Sequence, residues 1–176
     1  NPHFMFNTLN TLYGLTISKS DRAEDAFVKF IEILKYTYTQ VNLDMIPIGN
    51  EIKYIEDYIS LQLLRLNSHT KVSWEYEIED ESVLIPPMIL ITFVENAFKY
   101  GSSSTKDCNI AIKAELKDRK LSFSVQNRIM RDNSESEMSV GLNNCNARLN
   151  LIYPERHILS VCECSGMFNV LLKIKL

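Results

Sequence analysis

The spacing of apolar residues predicts five helices along the chain. Segments 3–17, 22–40 and 50–66 repeat apolar residues every three or four positions, which places them on one face of a helix. A fourth helix is expected at 86–100, because proline is tolerated in a first turn and Pro86-Pro87 precede an apolar run that stops at Gly101. A fifth is expected at 142–152, before Tyr153-Pro154.

Alternation of apolar and polar residues predicts the strands. Residues 71–79 alternate as a half-buried strand does. Two pairs of strands joined by tight polar turns are expected further on, at 109–116 with 121–127 and at 157–164 with 167–175. Residues 128–140 are polar and lack periodicity, so we expect a long loop there, of the kind that often acts as a functional lid.

Together these elements predict an α+β fold. Residues 1–45 should form an antiparallel helical hairpin, because only a short polar link separates the first two helices. Residues 46–176 should form a second domain, in which helices cover one face of a mixed sheet. The hairpin alone has little surface to bury, so its wide apolar stripe is expected to meet a partner subunit or the following domain.

Composition excludes some functions. The 176 residues are 45% hydrophobic and 23% charged, with a net charge of −3, so a basic face for nucleic acid is not expected. The four cysteines form no CxxC pair and are expected to be reduced and mostly buried rather than to bind zinc. No apolar run is long enough to span a bilayer. Because the chain starts without methionine inside a predicted helix, we expect a piece of a longer protein.

The first ten residues contain a candidate phosphoryl acceptor. His3 is suited to that role because its neutral ring offers a lone pair near neutral pH. Asn7 lies one helical turn further on a similar face and could orient the ring or the incoming phosphoryl group. The simpler interpretations are a histidine in a frayed terminus and an asparagine on a solvated helix face.

The predicted helix 86–100 carries a second group of polar residues. Glu95, Asn96 and Lys99 lie together on the side away from its apolar face. The oxygen of Asn96 can hold Mg²⁺, Glu95 can orient a nucleophile or polarise a metal-bound water, and Lys99 can meet a phosphate as a point charge. The alternative is a charged, solvated helix face with no chemical role.

A resemblance joins these segments to a third one. The segment Asn1 to Asn7, the segment Val94 to Gly101 and the segment Gly141 to Leu149 resemble, in this order, three boxes of the LytS-type sensor histidine kinases. These boxes are N-P-H-F-x-F-N for the acceptor, V-E-N-A-x-K-x-G for the nucleotide, and G-x-G-L-x-N-x-x-x-R-L. The resemblance covers essentially the whole chain. It implies that the second domain is a two-layer α/β sandwich of the GHKL (Bergerat) ATPase type.

The resemblance also implies roles for individual residues. His3 would be the phosphoacceptor, with Glu95 and Asn7 as catalytic partners and Asn96 as the metal ligand. The glycine box would place a lid and a helix N-terminus against the phosphates, and Gly141 would permit a close approach. Gly141 as a mere loop-to-helix hinge is the alternative. The nucleotide-binding residues implied are Asn96, Lys99, Gln126, Gly141, Leu142, Asn144 and Arg148.

Three positions depart from the family pattern. Tyr100 stands where the family usually has histidine, and Ser139 stands at the first glycine of the third box. Relatives usually show D-x-G-x-G at the end of the second central strand, where the aspartate accepts a hydrogen bond from adenine. Gln126 is taken to occupy that aspartate position, and no glycine follows it. A glutamine carbonyl can accept the same bond without the charge.

The resemblance implies a two-component sensor protein-histidine kinase. It would use ATP and Mg²⁺ to phosphorylate His3, act as a homodimer, and pass the phosphoryl group to the aspartate of a response regulator receiver domain. It would be the cytoplasmic region of an inner-membrane protein. The piece itself is expected to be a poor kinase, because the helix of His3 lacks its N-terminal turns.

Two other functions stay open at this point. A degenerate nucleotide- or partner-binding signalling module with weak or no kinase activity is favoured by Gln126, Ser139 and Arg128. An ATPase or chaperone of the same fold superfamily is a further alternative, but an acceptor-histidine box argues against it.

Overall fold

The computed structural model describes residues 2–130 and 135–176, with the backbone alone for Pro2 and residues 135–140. Its helices are α1 (Pro2–Ile17), α2 (Ala23–Thr39), α3 (Ile48–Leu63), α4 (Leu90–Gly101) and α5 (Glu135–Ile152). Its strands are β1 (Ile46–Pro47), β2 (Thr70–Ile78), β3 (Leu84–Ile85), β4 (Cys108–Lys117), β5 (Lys120–Arg128), β6 (His157–Cys164) and β7 (Met167–Lys175). The predicted α+β class is confirmed.

The main sheet is mixed, as predicted. Its strand order is β2-β4-β5-β7-β6, with β2 parallel to β4 and every other pair antiparallel. Buried and more exposed residues alternate along β4, β5 and β7, so each of these strands has one buried face and one solvated face. Phe93 of α4 packs against Phe123 of β5 on the buried face, with ring centroids 6.2 Å apart. The helix that carries the candidate nucleotide residues therefore lies directly on the sheet.

The first two helices pack onto α3 and α4. Phe4 and Leu12 of α1 and Phe30 and Ile33 of α2 are buried in the same hydrophobic core as α3 and α4. The rest of the core thus covers part of the apolar stripe of these two helices. The other part stays exposed on both helices, as Phe6, Leu9, Tyr13 and Ile17 of α1 and Phe27, Ile31 and Tyr38 of α2.

Predicted boundaries around α4 and α5 were wrong. The fourth helix begins at Leu90, because Met88 adopts a φ of +63° and an L-residue in that region interrupts a right-handed helix. Pro86-Pro87 therefore precede the helix instead of opening it. The loop expected over 128–140 is shorter, since β5 continues to Arg128 and α5 begins at Glu135. Residues 131–134 of that predicted loop lie outside the described residues.

A short antiparallel pair of strands, β1 and β3, was not predicted from the sequence. Ile46 of β1 lies opposite Ile85 of β3, and Pro47 opposite Leu84. Two residues are too few for alternation to mark a strand.

The cysteines divide into two pairs. Cys108 and Cys145 are buried, and burial raises the pKa of the Cys145 thiol to about 12. Cys162 and Cys164 are exposed on β6 at the edge of the sheet, so the expectation that most cysteines are buried was wrong. Within the described ranges, the helices are too short or too polar to cross a membrane.

Close packing at the end of α4 leads to a stability prediction. A Cβ added at Gly101 would lie 2.6 Å from Nδ2 and 2.7 Å from Cβ of the buried Asn127. Gly101→Ala should therefore lower the free energy of unfolding by about 1–3 kcal/mol. Gly14→Ala is the matched control, because an added Cβ there meets nothing within 4 Å. Because Gly14 lies in the interior of α1, Gly14→Ala should raise the free energy of unfolding by about 0.5–1 kcal/mol. Urea unfolding followed by circular dichroism measures both; a Gly101→Ala variant as stable as the parent would contradict this packing.

Candidate functional site

A cleft of about 710 Å³ opens between α1, α3 and α4. It brings together three of the residues predicted from sequence, since His3 lines it with Glu95 and Lys99. The other lining residues come from α1, from α3 with the turn after it, and from α4 with the segment after it: Phe4, Tyr58, Gln62, Arg65, Leu66, Asn67, Phe98, Ser102, Ser103 and Ser104. The acceptor candidate and the polar face of α4 therefore share one space.

The position of His3 follows from the burial of its neighbour. The Phe4 ring lies 4.6 Å from the Tyr58 ring of α3, and Tyr58 meets the Phe98 ring of α4 edge-on at 5.6 Å. Because Phe4 is buried in this stack, the rotation of α1 about its axis is set. His3, which precedes Phe4, is exposed at the mouth of the cleft.

Asn7 contacts the ring of His3. Its Nδ2 lies 3.1 Å from Nδ1 and 3.0 Å from Nε2 of the imidazole. An amide N–H in this position occupies the lone pair that a nucleophilic histidine needs. The opposite amide orientation, with Oδ1 towards the ring, accepts the ring N–H and leaves the other nitrogen free. That second orientation is the one that fits an acceptor role for His3.

Glu95 faces the tyrosines of α3. Burial, followed by the nearby negative charge of Glu95, raises the pKa of Tyr58, and the same two causes raise the pKa of Tyr54 to about 12. Lys99 is exposed one turn further, with its ammonium 5.0 Å from the centroid of the Tyr100 ring. The cleft therefore has one carboxylate and one ammonium group on its α4 wall.

Two asparagines on or against α4 contain buried polar atoms without a protein partner. The Nδ2 of Asn96 is buried and has no hydrogen-bond partner among the described residues. Asn127 is fully buried on β5; its Nδ2 donates to the Arg128 carbonyl at 3.1 Å, while its Oδ1 has no partner within the described ranges. Since each such atom costs about 1–3 kcal/mol, a polar partner outside the described residues would stabilise both asparagines.

Gln126 does not join this group. It is exposed on the face of the sheet opposite α4, where it lines a separate cavity of about 390 Å³ with Lys71 and Met167. Asn127 takes the inward position at the end of β5 and was missed from sequence. The alternation of β5 could have found it, because Phe123 and Val125 point inward and residue 127 continues their series.

The third box lies within α5. Gly141 was expected at a helix N-terminus in close contact, but α5 begins at Glu135 and an added Cβ at Gly141 meets nothing within 4 Å. Leu142 packs against the core and Asn144 is exposed. Arg148 donates from Nη1 to the Pro87 carbonyl, which ties α5 to the segment before α4. The side chain of Ser139 lies outside the described residues.

A buried carboxylate that the sequence analysis missed fixes the start of α4. Glu51 of α3 is fully buried and accepts hydrogen bonds from the Tyr36 hydroxyl, from Met88 N and, at 3.0 Å, from Leu90 N. Burial raises the pKa of Glu51, and these hydrogen bonds act in the opposite direction. Glu51 lies in register with Ile55 and Tyr58 on the apolar face of α3, which is the sequence feature that could have revealed it.

Solved structures support this architecture. The histidine kinase domain of the Erythrobacter litoralis EL346 blue-light activated histidine kinase matches all of the chain and 96% of its own length, with a TM-score of 0.56 and 11% identity. The catalytic domain of histidine kinase ThkA matches 74% of the chain and 93% of its own length, with a TM-score of 0.50 and 15% identity. At these identities the likeness shows the fold.

Sequence comparisons find similar proteins of one kind. The family model described as histidine kinase matches residues 1–70. The sensor protein LytS of Staphylococcus epidermidis is 28% identical over 127 residues, which are 72% of the chain and 22% of that protein. LytS of Staphylococcus saprophyticus is 27% identical over 167 residues, 87% of the chain and 28% of that protein.

Over these segments the chain is similar to LytS-type sensor histidine kinases. It spans about a fifth of the length of the first LytS relatives that it matches, with shares of 22% and 19%. The match to the family model includes the helix of His3 and all of α3.

The role of Glu51 leads to a prediction. Glu51→Gln replaces one acceptor oxygen by a donor that faces other donors, so the free energy of unfolding should fall by about 1–3 kcal/mol. The melting temperature should then fall by about 2–12 °C for a chain of this size. Glu32→Gln, at an exposed site on α2, is the control and should change the stability by less than about 0.5 kcal/mol. Equal melting temperatures for Glu51→Gln and the parent would show that this carboxylate does not hold α4.

Proposed function

We propose that this chain is the phosphoacceptor and ATP-binding part of a two-component sensor histidine kinase. His3 accepts the phosphoryl group and later passes it to an aspartate of a response regulator receiver domain. The observation that carries the proposal is the shared cleft, in which His3 lies with Glu95 and Lys99. The LytS relatives support the same function.

The chemistry needs a neutral histidine ring. One ring nitrogen forms a bond to phosphorus as the bond from phosphorus to the leaving oxygen of ADP breaks, and the proton on the other ring nitrogen must be held or removed. Glu95 is the one carboxylate among the described residues that line the cleft, so it is suited to accept that N–H. Asn7, with Oδ1 towards the ring, can share this orienting role.

The residues for the nucleotide lie on and under α4. ATP supplies the phosphoryl group when it is bound. The unpartnered Oδ1 of Asn127 suits the adenine amino group, so Asn127 replaces Gln126 in the proposed contact. Lys99 faces phosphate charge, and Asn96 offers an amide oxygen to Mg²⁺. Mg²⁺ at phosphoryl-transfer sites is held mainly by phosphates and water, with few protein ligands.

We propose that α1 contributes to a homodimer. Phe6, Leu9, Tyr13 and Ile17 are exposed at helical spacing, and Phe6 and Tyr13 are 69% and 68% exposed. An apolar stripe of this kind is typical of a surface that another subunit covers. The division into a hairpin at 1–45 and an ATP-binding domain at 46–176, and attachment of the parent protein to a membrane, belong to the same proposal.

Labelling with ATP tests the function. The intact protein, incubated with labelled ATP and Mg²⁺, should become an acid-labile phosphoprotein. The label should vanish in His3→Gln, because the accepting nitrogen is gone, and should remain in His157→Gln, a histidine on β6 away from the cleft. Retention of the label in His3→Gln would refute the assignment of the acceptor. Nucleotide binding without any label would indicate the signalling module without kinase activity instead.

A further inference from the structure

The cleft around His3 receives cationic side chains from two walls. Lys99 comes from α4, and Arg65 comes from the turn that follows α3. A phosphoryl group on a side chain carries a charge of about −1.5 to −2 near neutral pH. The carboxylate of Glu95 in the same cleft adds to the negative charge. Cations are therefore needed where the phosphoryl group arrives. Lys99 belongs to the second sequence box, whereas Arg65 lies outside all three boxes.

Hydrogen bonds hold Arg65 at the cleft. Its Nη1 donates to Oε1 of Gln62 at 3.2 Å, and Nε2 of Gln62 donates to the Tyr58 hydroxyl oxygen at 2.7 Å. Because one end of the amide accepts and the other donates, the two bonds together fix the orientation of Gln62. The bond to Gln62 uses one of the five N–H groups of the guanidinium.

The same tyrosine positions the acceptor. Phe4, the residue after His3, packs on Tyr58 with ring centroids 4.6 Å apart. Tyr58 thus contacts α1 through its ring and the support of Arg65 through its hydroxyl. A single buried side chain therefore lies between the helix of His3 and the residue that supports the guanidinium.

We propose that Arg65 binds the phosphoryl group on His3, with Gln62 and Tyr58 as positioning residues. This inference rests on the proposed function. A guanidinium is always charged and can donate two parallel N–H bonds to phosphoryl oxygens, which a lysine cannot do. Arg65 forms no covalent bond; it neutralises and orients the group as the N–P bond forms and the bond to ADP breaks.

The first experiment measures labelling rates in the intact protein. Arg65→Gln should lower the initial rate of His3 phosphorylation at least about tenfold, given the weight of arginines in phosphoryl transfer. Arg65→Lys should restore part of the rate, because charge returns without the two-bond geometry. Arg119→Gln is the control, since Arg119 lies in the turn between β4 and β5 and binds the Leu176 carbonyl. It should label at the parent rate.

The second experiment does not depend on kinase activity. The protein is phosphorylated chemically with phosphoramidate, and the ³¹P resonance that is missing in His3→Gln is titrated with pH. A neighbouring guanidinium favours the dianion, so the midpoint should rise by about 0.5 unit or more in Arg65→Gln and stay unchanged in Arg119→Gln. An unchanged midpoint in Arg65→Gln overturns the inference, whatever the labelling rates. If ATP labels no variant, the proposed function fails and this titration alone decides the role of Arg65.

Discussion

The packing of Phe4 against Tyr58 sets the arrangement on which the site depends. Burying an aromatic ring of this size stabilises the contact by about 1.5–3 kcal/mol, and aromatic pairs add about 0.5–1.5 kcal/mol. Phe98 holds the other side of Tyr58, so one stack connects α1, α3 and α4. With Phe4 buried, the preceding His3 must lie at the cleft. An apolar contact thus places the proposed acceptor beside the polar residues of the cleft.

A buried carboxylate provides the second constraint. Glu51 links α2 through Tyr36 to the first turn of α4 through Met88 and Leu90. A negative charge at a helix N-terminus is favourable because backbone N–H groups there have no helical partners. This contact sets where α4 begins and therefore which residues of α4 face the cleft. Glu95 and Lys99 reach the acceptor side, while Gly101 closes over Asn127.

The sequence was sufficient to predict those elements whose structure a local pattern of residues determines. The hairpin at 157–164 and 167–175 has the predicted bounds, because alternation and a tight turn at Ser165-Gly166 specify it locally. The start of α4 was misplaced because a left-handed residue at Met88 follows the prolines. Motif spacing aligned Gln126 with the family aspartate, whereas strand alternation makes Asn127 the inward residue. Arg65 could not be found from a motif, since its place depends on tertiary contacts with Gln62 and Tyr58.

The central claim is that the hairpin packs on α3 so that His3 enters the cleft. Nuclear Overhauser effects between aromatic side chains test it most directly in solution. The structure predicts contacts from the Tyr58 ring to both the Phe4 and the Phe98 rings, whose centroids lie 4.6 and 5.6 Å away. A spectrum with the contact between Tyr58 and Phe98 but none between Tyr58 and Phe4 would contradict the account. It would show a folded second domain whose hairpin does not bring His3 to α4.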